Sequence, residues 1–236
     1  MKADLWLAGI LGYPVWRIED ASDGESLSAL ESDIPVFAYA KVGASDIASV
    51  SRLVGSGFLV VDVALTFDAG IIAPTSASDG VRLALPEDRE AVARVARGAF
   101  RFSRFHLDPL VPNGIADTIK SAWAVNYFEG RRGDGMVVAE RDGCIVGFLQ
   151  LIWTAPDSLV IDLIGVDPAW QGQGIGRDMI VYAARHGTGD GRVPAGMTVG
   201  TQAANAPSVR LYESLGFRLA SAQYVMHFHG VAMDKK

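Results

Sequence analysis

From residue 158 to residue 179 the chain reads Ser-Leu-Val-Ile-Asp-Leu-Ile-Gly-Val-Asp-Pro-Ala-Trp-Gln-Gly-Gln-Gly-Ile-Gly-Arg-Asp-Met. An apolar run over 159–166 ends at Asp167-Pro168. Gln171, Gly172, Gln173, Gly174, Ile175 and Gly176 then lead into a segment whose Met179, Ile180 and Ala183 share one helical face. A strand that must turn through glycines into a helix has few ways to fold. Glycine lets backbone N–H groups approach an anion with no side chain in the way. The helix start adds unpaired N–H groups and the positive end of its dipole. The stretch therefore predicts a pyrophosphate site; the plain alternative is a tight strand–helix turn. Gly172, Gly174 and Gly176 do not have the dinucleotide-fingerprint spacing, and no Gly-Lys-Ser/Thr follows as in a P-loop.

The rest of the chain reads as alternating strands and helices. Residues 36–42 and 58–66 are apolar runs flanking a helix that Ser45 or Asp46 caps and that Gly55 and Gly57 end. Residues 71–80 are rich in small, polar and turn-forming residues and predict a linker. This divides the chain into a smaller α/β domain, 1–78, and a larger one, 79–236. In the larger one, strands are expected at 81–85, 136–140, 144–153, 159–166, 197–201 and 219–228. Helices are expected from Pro86, over 116–128, after the glycine loop and over 207–215. Asp142-Gly143 marks a hairpin. The fold class is α/β, a mixed twisted sheet with helices on both faces. The apolar run over 5–11 follows an acidic residue and lacks a cleavage pattern, so a buried strand is expected there rather than a signal sequence.

A second motif lies thirty residues beyond the glycine loop. Asn205-Ala-Pro-Ser-Val-Arg-Leu-Tyr-Glu-Ser-Leu-Gly-Phe217 opens with Asn after a strand and ends its helix at Gly216. The pair of motifs resembles the GNAT acetyltransferase superfamily. Gln171, Gly174 and Gly176 match its Gln/Arg-x-x-Gly-x-Gly/Ala loop, and Asn205, Leu211, Tyr212, Gly216 and Phe217 match its later helix. The resemblance covers about 81–228 and implies acetyl-CoA as co-substrate. The backbone of Ile164, Gly165 and Val166 would pair with the pantetheine arm like an added strand. The amides from Gly172 to Arg177 would hold the pyrophosphate, and Asn205 would bond the pantetheine or a neighbouring backbone group. Tyr212 would protonate the departing thiolate; a tyrosine with a pKa of about 10 still carries its proton at neutral pH. The alternative for Tyr212 is a core aromatic.

Residues 99–106, Ala-Phe-Arg-Phe-Ser-Arg-Phe-His, and a following helix with Trp123 are similar to the dTDP-fucosamine acetyltransferases. Those enzymes act on the amine of a dTDP-linked 4-amino-4,6-dideoxygalactose and carry an extra N-terminal domain, whose terminal strand is matched near 57–65. The chain departs from that pattern at His106-Leu-Asp-Pro and at the insertion-like 130–135. The resemblance implies a nucleotide-sugar acceptor, with Arg101 or Arg104 on the diphosphate. Phe102 or Phe105 would pack on a base or sugar, and His106 and Trp123 would belong to the same site. Asp162, placed by strand alternation on the face of Ile164 and Val166, is a candidate to accept the amine proton; the alternative is a hydrogen-bonded strand carboxylate with no chemical task.

The 236 residues carry 21 basic and 27 acidic side chains, a net charge of −6, with no basic run beyond Arg131-Arg132. Nucleic-acid binding is not expected, because it needs a clustered positive face. No stretch is long enough for a membrane span. The lone Cys144, in an apolar run, suits a reducing cytoplasm and reads as a buried small hydrophobe. His227-Phe-His229 is a poor metal signature, and no metal is expected. Exposed apolar residues in the N-terminal unit would support a homodimer. Two other functions remain open: acetylation of a peptide or other small amine, and a non-catalytic acyl-CoA sensor.

Overall fold

The computed structural model describes residues 1–21, 27, 30, 34–70 and 79–230. In chain order the elements are β1 (Lys2–Ala3), α1 (Leu5–Leu11), β2 (Val15–Ile18), β3 (Val36–Gly43), α2 (Ile47–Gly55), β4 (Leu59–Ala69) and β5 (Val81–Leu83). Then come α3 (Arg89–Gly98), α4 (Asn113–Val125), β6 (Gly135–Arg141), β7 (Cys144–Ala155), β8 (Ser158–Val166), α5 (Ile175–His186), β9 (Gly196–Gln202), α6 (Ala206–Ser214) and β10 (Arg218–Gly230). The strands form one sheet in the order β1-β2-β3-β10-β4-β9-β8-β7-β6-β5. It is mixed, with parallel pairs at β2/β3 and β8/β9 and antiparallel pairs elsewhere. The mixed sheet flanked by helices is the expected α/β class.

Residues 1–78 and 79–236 share this sheet. The last strand, β10, lies between β3 and β4, and β4 in turn pairs with β9. The strand–helix–strand unit at 36–69 is therefore split: its two strands run parallel but do not touch, because β10 fills the space. Residues 71–78 of the expected linker lie outside the described residues.

Local chemistry explains the elements. Asp142 (φ 51°) and Gly143 (φ 72°) both adopt left-handed backbone, which the tight β6/β7 turn requires. The 5–11 run, expected as a strand, is instead helix α1. Asp4 caps it by accepting the Leu7 N–H at 3.0 Å, and Gly12 ends it at φ 80°; these caps outweigh an apolar run too short to specify its own period. Helix α4 starts three residues earlier than expected, after Pro112. Cys144, expected to be buried, is exposed because it sits at the turn, opposite Arg141.

Side-chain alternation along β3 separates the two faces. Phe37 and Tyr39 pack with α1 and α4, whereas Ala38, Ala40 and Val42 pack with α2. On the first face α3 and α4 cover Met136, Val138 and Phe148. On the second, α5 and α6 cover Val137, Leu149, Leu159 and Ile161. Each fully buried Phe or Leu stabilises the fold by about 1.5–3 kcal/mol. Among the described residues no helix is long and apolar enough to cross a membrane.

Because β4 is the shared partner of β9 and β10, residues 79–236 expressed alone are expected to show no cooperative unfolding transition in urea. Adding residues 1–78 as a separate chain is expected to restore one. A cooperative transition in the isolated 79–236 fragment would show that β9 and β10 close on each other without β4.

Candidate active site

The site begins where β8 and β9 part. Their parallel pairing runs from Ser158↔Gly196 to Ile161↔Val199 and stops. At this point β8 carries a bulge: Gln150 of β7 faces Leu163 and Leu151 faces Ile161, leaving Asp162 as the extra residue. A bulge bends its strand and increases the local twist. Beyond it, β8 stays with β7 through Val166↔Gly147, while β9 follows β4 through Gln202↔Ala64. The facing edges of Leu163, Ile164, Gly165 and Val166 on one side, and of Gly200, Thr201 and Gln202 on the other, are left unpaired and line a cavity of 680 Å³.

The bulge also changes which way Asp162 points. Alternation predicted the face of Ile164 and Val166, which pack with α5 and α6. Asp162 instead meets α4 on the opposite face, where Trp123 Nε1–H donates to it at 2.9 Å. Arg132 adds a bidentate pair, Nε at 2.7 Å and Nη2 at 2.5 Å, and Gln150 Nε2 donates at 3.3 Å. Its oxygens are thus filled by N–H donors, the geometry of an anchor rather than of an open base.

At the other end of the gap the glycine loop behaves as its residues require. Gly172 and Gly174 adopt φ of 78° and 82°, where a side chain would be strained. The first intrahelical bond of α5 runs from Asp178 N–H to the Gly174 carbonyl, so the N–H groups of Ile175, Gly176 and Arg177 have no helical acceptor. A Cβ on Gly176 would sit 3.2 Å from Leu211 of α6, so that glycine sets how closely α5 approaches α6. Gln171 holds the loop by donating to the Val166 carbonyl at 3.0 Å. Gln173 is exposed and does not line the cavity. Asn205 lines the cavity and caps α6, accepting the Ser208 N–H at 3.3 Å. Tyr212 also lines the cavity and is 2% exposed, packed on Phe67 and Phe217. Burial raises its pKa, against a smaller lowering by Ser208 beside the hydroxyl, so it holds its proton more firmly than a free tyrosine.

The wall on the α4 face is basic. Lys41, Arg101, Arg104, Lys120 and Arg132 line the cavity there, with Arg177 of α5 on the other side, against two acids, Asp62 and Asp162, in a chain whose net charge is −6. Arg104 stacks over Tyr39 at 4.0 Å and Phe105 at 4.3 Å and has no carboxylate in direct contact. Burial lowers its guanidinium to about 10. Lys120, 9% exposed, lies over Phe100 and Trp123, with no hydrogen-bond acceptor among the described residues; burial, with Arg104 adding to it, pushes it down to about 8. Burial also lowers Lys41. Arg101 is exposed at the rim, and Phe105 is buried beneath Arg104. His106 does not line the cavity: Ser103 Oγ at 2.6 Å and Asp117 at 3.0 Å engage its two ring nitrogens, tying the loop to α4.

Lys41, Asp62 and Lys120 were not legible as site residues in the sequence, since each is a single charge within an apolar strand or helix. Asp62 sits beside the second bulge that borders the cavity. Val225 of β10 faces Asp62 and Met226 faces Val60, so Val61 is the extra residue. Asp62 is 7% exposed, and its Oδ2 has no hydrogen-bond partner. Burial raises its carboxyl to about 6 against the Val63 backbone N–H and the smaller pull of Lys41 and Arg104.

Behind Arg104 lies a buried chain of rings. His227 Nδ1–H and His229 Nε2–H both donate to Asp108 Oδ2, at 2.6 and 2.8 Å, and Arg104 donates to His227 Nε2 at 3.3 Å. The His-x-His pair thus spends its ring N–H groups on one carboxylate. Burial would raise Asp108, but the two histidine hydrogen bonds outweigh it and hold it low. Burial, reinforced by Arg104, pushes His227 down to about 4 despite Asp108. An unfolded histidine titrates near 6.5, so below that pH the unfolded chain binds the extra proton. The stability contributed by neutral His227 is present above pH 6.5 and lost as pH falls towards 4, on the order of 3 kcal/mol. Urea titrations from pH 7 to 4 are expected to show this decline, and H227N is expected to flatten it. An equally steep decline in H227N would assign it to other groups.

The comparisons with known proteins agree with this geometry. The model of the Acetyltransferase (GNAT) family matches residues 102–217. The spore coat polysaccharide biosynthesis protein SpsD of Bacillus subtilis (strain 168) is 30% identical over 148 residues, 60% of this chain and 48% of that protein. A mycothiol acetyltransferase of Thermomonospora curvata is 36% identical over 107 residues, 42% of this chain and 34% of that protein. The chain thus spans half or less of the length of these relatives. Among solved structures, a functionally unknown conserved protein from Staphylococcus epidermidis ATCC 12228 aligns with a TM-score of 0.63 and 13% identity, covering 92% of this chain and 84% of that one. A GCN5-related N-acetyltransferase from Sphaerobacter thermophilus aligns with a TM-score of 0.55 and 16% identity, covering 86% and 64%. The match to the Acetyltransferase (GNAT) family thus falls on residues 102–217, the stretch that holds the parted strands and the glycine loop, in a sheet that the N-terminal segment completes.

Proposed function

We propose that the protein transfers acetyl from acetyl-CoA to the amine of a nucleotide-linked deoxyamino sugar, with Tyr212 protonating the departing thiolate. The observation that carries the acceptor class is the basic wall of the cavity. Lys41, Arg104 and Lys120 line it, and among the described residues no carboxylate is bonded to any of them. A buried cation such as Lys120 is costly without a partner, as is the half-buried Arg104 to a lesser degree, and the phosphates of an acceptor would offset that cost. The likeness to a polysaccharide-biosynthesis protein is consistent with a sugar acceptor.

The residues present fit acetyl-CoA. The N–H groups at the start of α5, with Gly172 and Gly174 in left-handed backbone, suit a pyrophosphate. The unpaired edge of β8 from Leu163 to Val166 suits the amide-bearing pantetheine arm as an added strand. The Asn205 oxygen caps α6, and among the described residues no acceptor is bonded to its NH₂. In the reaction the amine nitrogen bonds to the thioester carbonyl carbon, the C–S bond breaks, and sulfur takes a proton from Tyr212. Tyr212 carries its proton across neutral pH, the form an acid needs, although burial makes it a weaker acid than a free tyrosine. Positioning of two bound reactants supplies much of the remaining rate.

The test is release of CoA thiol from acetyl-CoA with a panel of acceptors. The panel holds dTDP-4-amino-4,6-dideoxygalactose, free amino sugars, an aminoglycoside and a short peptide; the mycothiol acetyltransferase likeness is a reason to include amines without phosphate. Turnover confined to the dTDP sugar is the expected result, and turnover confined to the others would overturn the acceptor class. Y212F is expected to lower kcat about 100-fold with acetyl-CoA affinity unchanged. K120M is expected to raise KM for the dTDP sugar about tenfold, the loss of one charge-assisted contact, without changing KM for acetyl-CoA.

A further inference from the structure

We propose that Asp62, a residue of the N-terminal segment, takes the proton from the acceptor amine. The proposal rests on acetyl transfer to an amine and is independent of which amine is used. An amine is protonated near neutral pH and attacks only after losing a proton, so a base must face the acceptor end of the cavity. Two carboxylates line that cavity. Asp162 already accepts four N–H bonds and is ion-paired to Arg132, which holds it as a charged anchor. Asp62 has an Oδ2 with no partner although the residue is 93% withdrawn from solvent, being 7% exposed. A buried carboxylate oxygen with no partner is short of a donor, and an N–H that reaches Asp62 from the cavity it lines would supply one.

The backbone accounts for its direction. The Val61 bulge breaks the alternation of β4 where it passes β10, and such bulges re-aim side chains next to active sites. Past the bulge, Leu65 and Phe67 pack with α5 and α6. Asp62 lies with Lys41, which shares the β3 face of Phe37 and Tyr39 against α1 and α4. Tyr212 packs within the α5/α6 cluster. The gap between β8 and β9 therefore has a proton donor on one side and an open carboxylate on the other, which is the order needed by a leaving sulfur and an attacking nitrogen. The charged groups facing Asp62 are Lys41 from β3 and Arg104 from the loop before α4, while β9 and β10 present Gln202, Gln223 and Val225. Burial opposes the carboxylate, the Val63 backbone N–H and then the two cations favour it, and the balance near 6 suits a base working at neutral pH.

The protons balance. An ammonium acceptor gives up two on becoming an amide. The first passes to Asp62 and from there to solvent through the cavity. The second, released as the N–C bond forms and the C–S bond breaks, makes good the proton that Tyr212 delivers to sulfur.

The test compares wild type with D62N, an isosteric change, using acetyl-CoA and whichever amine of the panel above has the highest turnover. The expected result is a kcat lower by about 10²–10³-fold at pH 7, with KM for acetyl-CoA unchanged. The deficit shrinks as pH rises towards the pKa of the amine, because a free amine needs no base. Added formate is expected to restore part of the activity of D62A. A D62N kcat within threefold of wild type, or a deficit independent of pH, would overturn the proposal. Should D62N fail to fold, carboxyl ¹³C titration of the wild-type protein decides: a resonance titrating near 6 supports the base, and ordinary aspartate behaviour for Asp62 sinks it. If the dTDP sugar is inactive while D62N cripples another amine's reaction, the acceptor class alone fails.

Discussion

Pairing between β8 and β9 stops at Ile161 and Val199, and the site is organised around that break. Two parallel strands in the middle of a sheet normally satisfy each other's backbone groups along their whole length. Here the extra residue at Asp162 turns β8 away and leaves two unpaired edges facing a cavity. Those edges are unfilled hydrogen-bonding capacity, the surface that an extended amide-bearing chain fits. The same break joins the two faces of the sheet, so groups on α5 and α6 can act on one end of a bond while groups near α4 act on the other. The ion pair and indole bond at Asp162 hold the bulge itself: Arg132 and Trp123 reach it from outside the strand.

The N-terminal segment is part of this construction. Strand β4 bridges β9 and β10, and β3 lies beyond β10. From these strands come Asp62, Lys41 and Tyr39, and the last stacks under Arg104 and donates to Asp4 at 2.9 Å. Arg104 thus meets its balancing charges at second hand, Asp4 through Tyr39 and Asp108 through His227. A guanidinium held that way keeps its direction and leaves its charge available to the cavity. This is how an acidic chain presents a basic interior site.

What the sequence determined by itself was local. The glycine loop, the capping Asn205, the Asp142-Gly143 turn and the helix bearing Tyr212 follow from backbone requirements of a few adjacent residues, and each is legible because only certain residue types meet them. The α/β class follows in the same way from the alternation of apolar runs and capped helices. The short run over 5–11 misled, because seven residues do not establish a period and the caps at Asp4 and Gly12 decide its form. What only the tertiary structure decided was non-local. The lodging of β10 between β3 and β4 depends on strand edges far apart in sequence. The bulge at Asp162 is visible only in its register with β7, and it reversed the face that alternation assigned. His106 carries the chemistry of a site residue, yet Ser103 and Asp117 engage it as a loop tie. Asp62, Lys41 and Lys120 look like isolated charges in apolar segments. They come together because three elements bring them to one wall, and burial there, a property of the folded chain, shifts the protonation of Asp62 and Lys120.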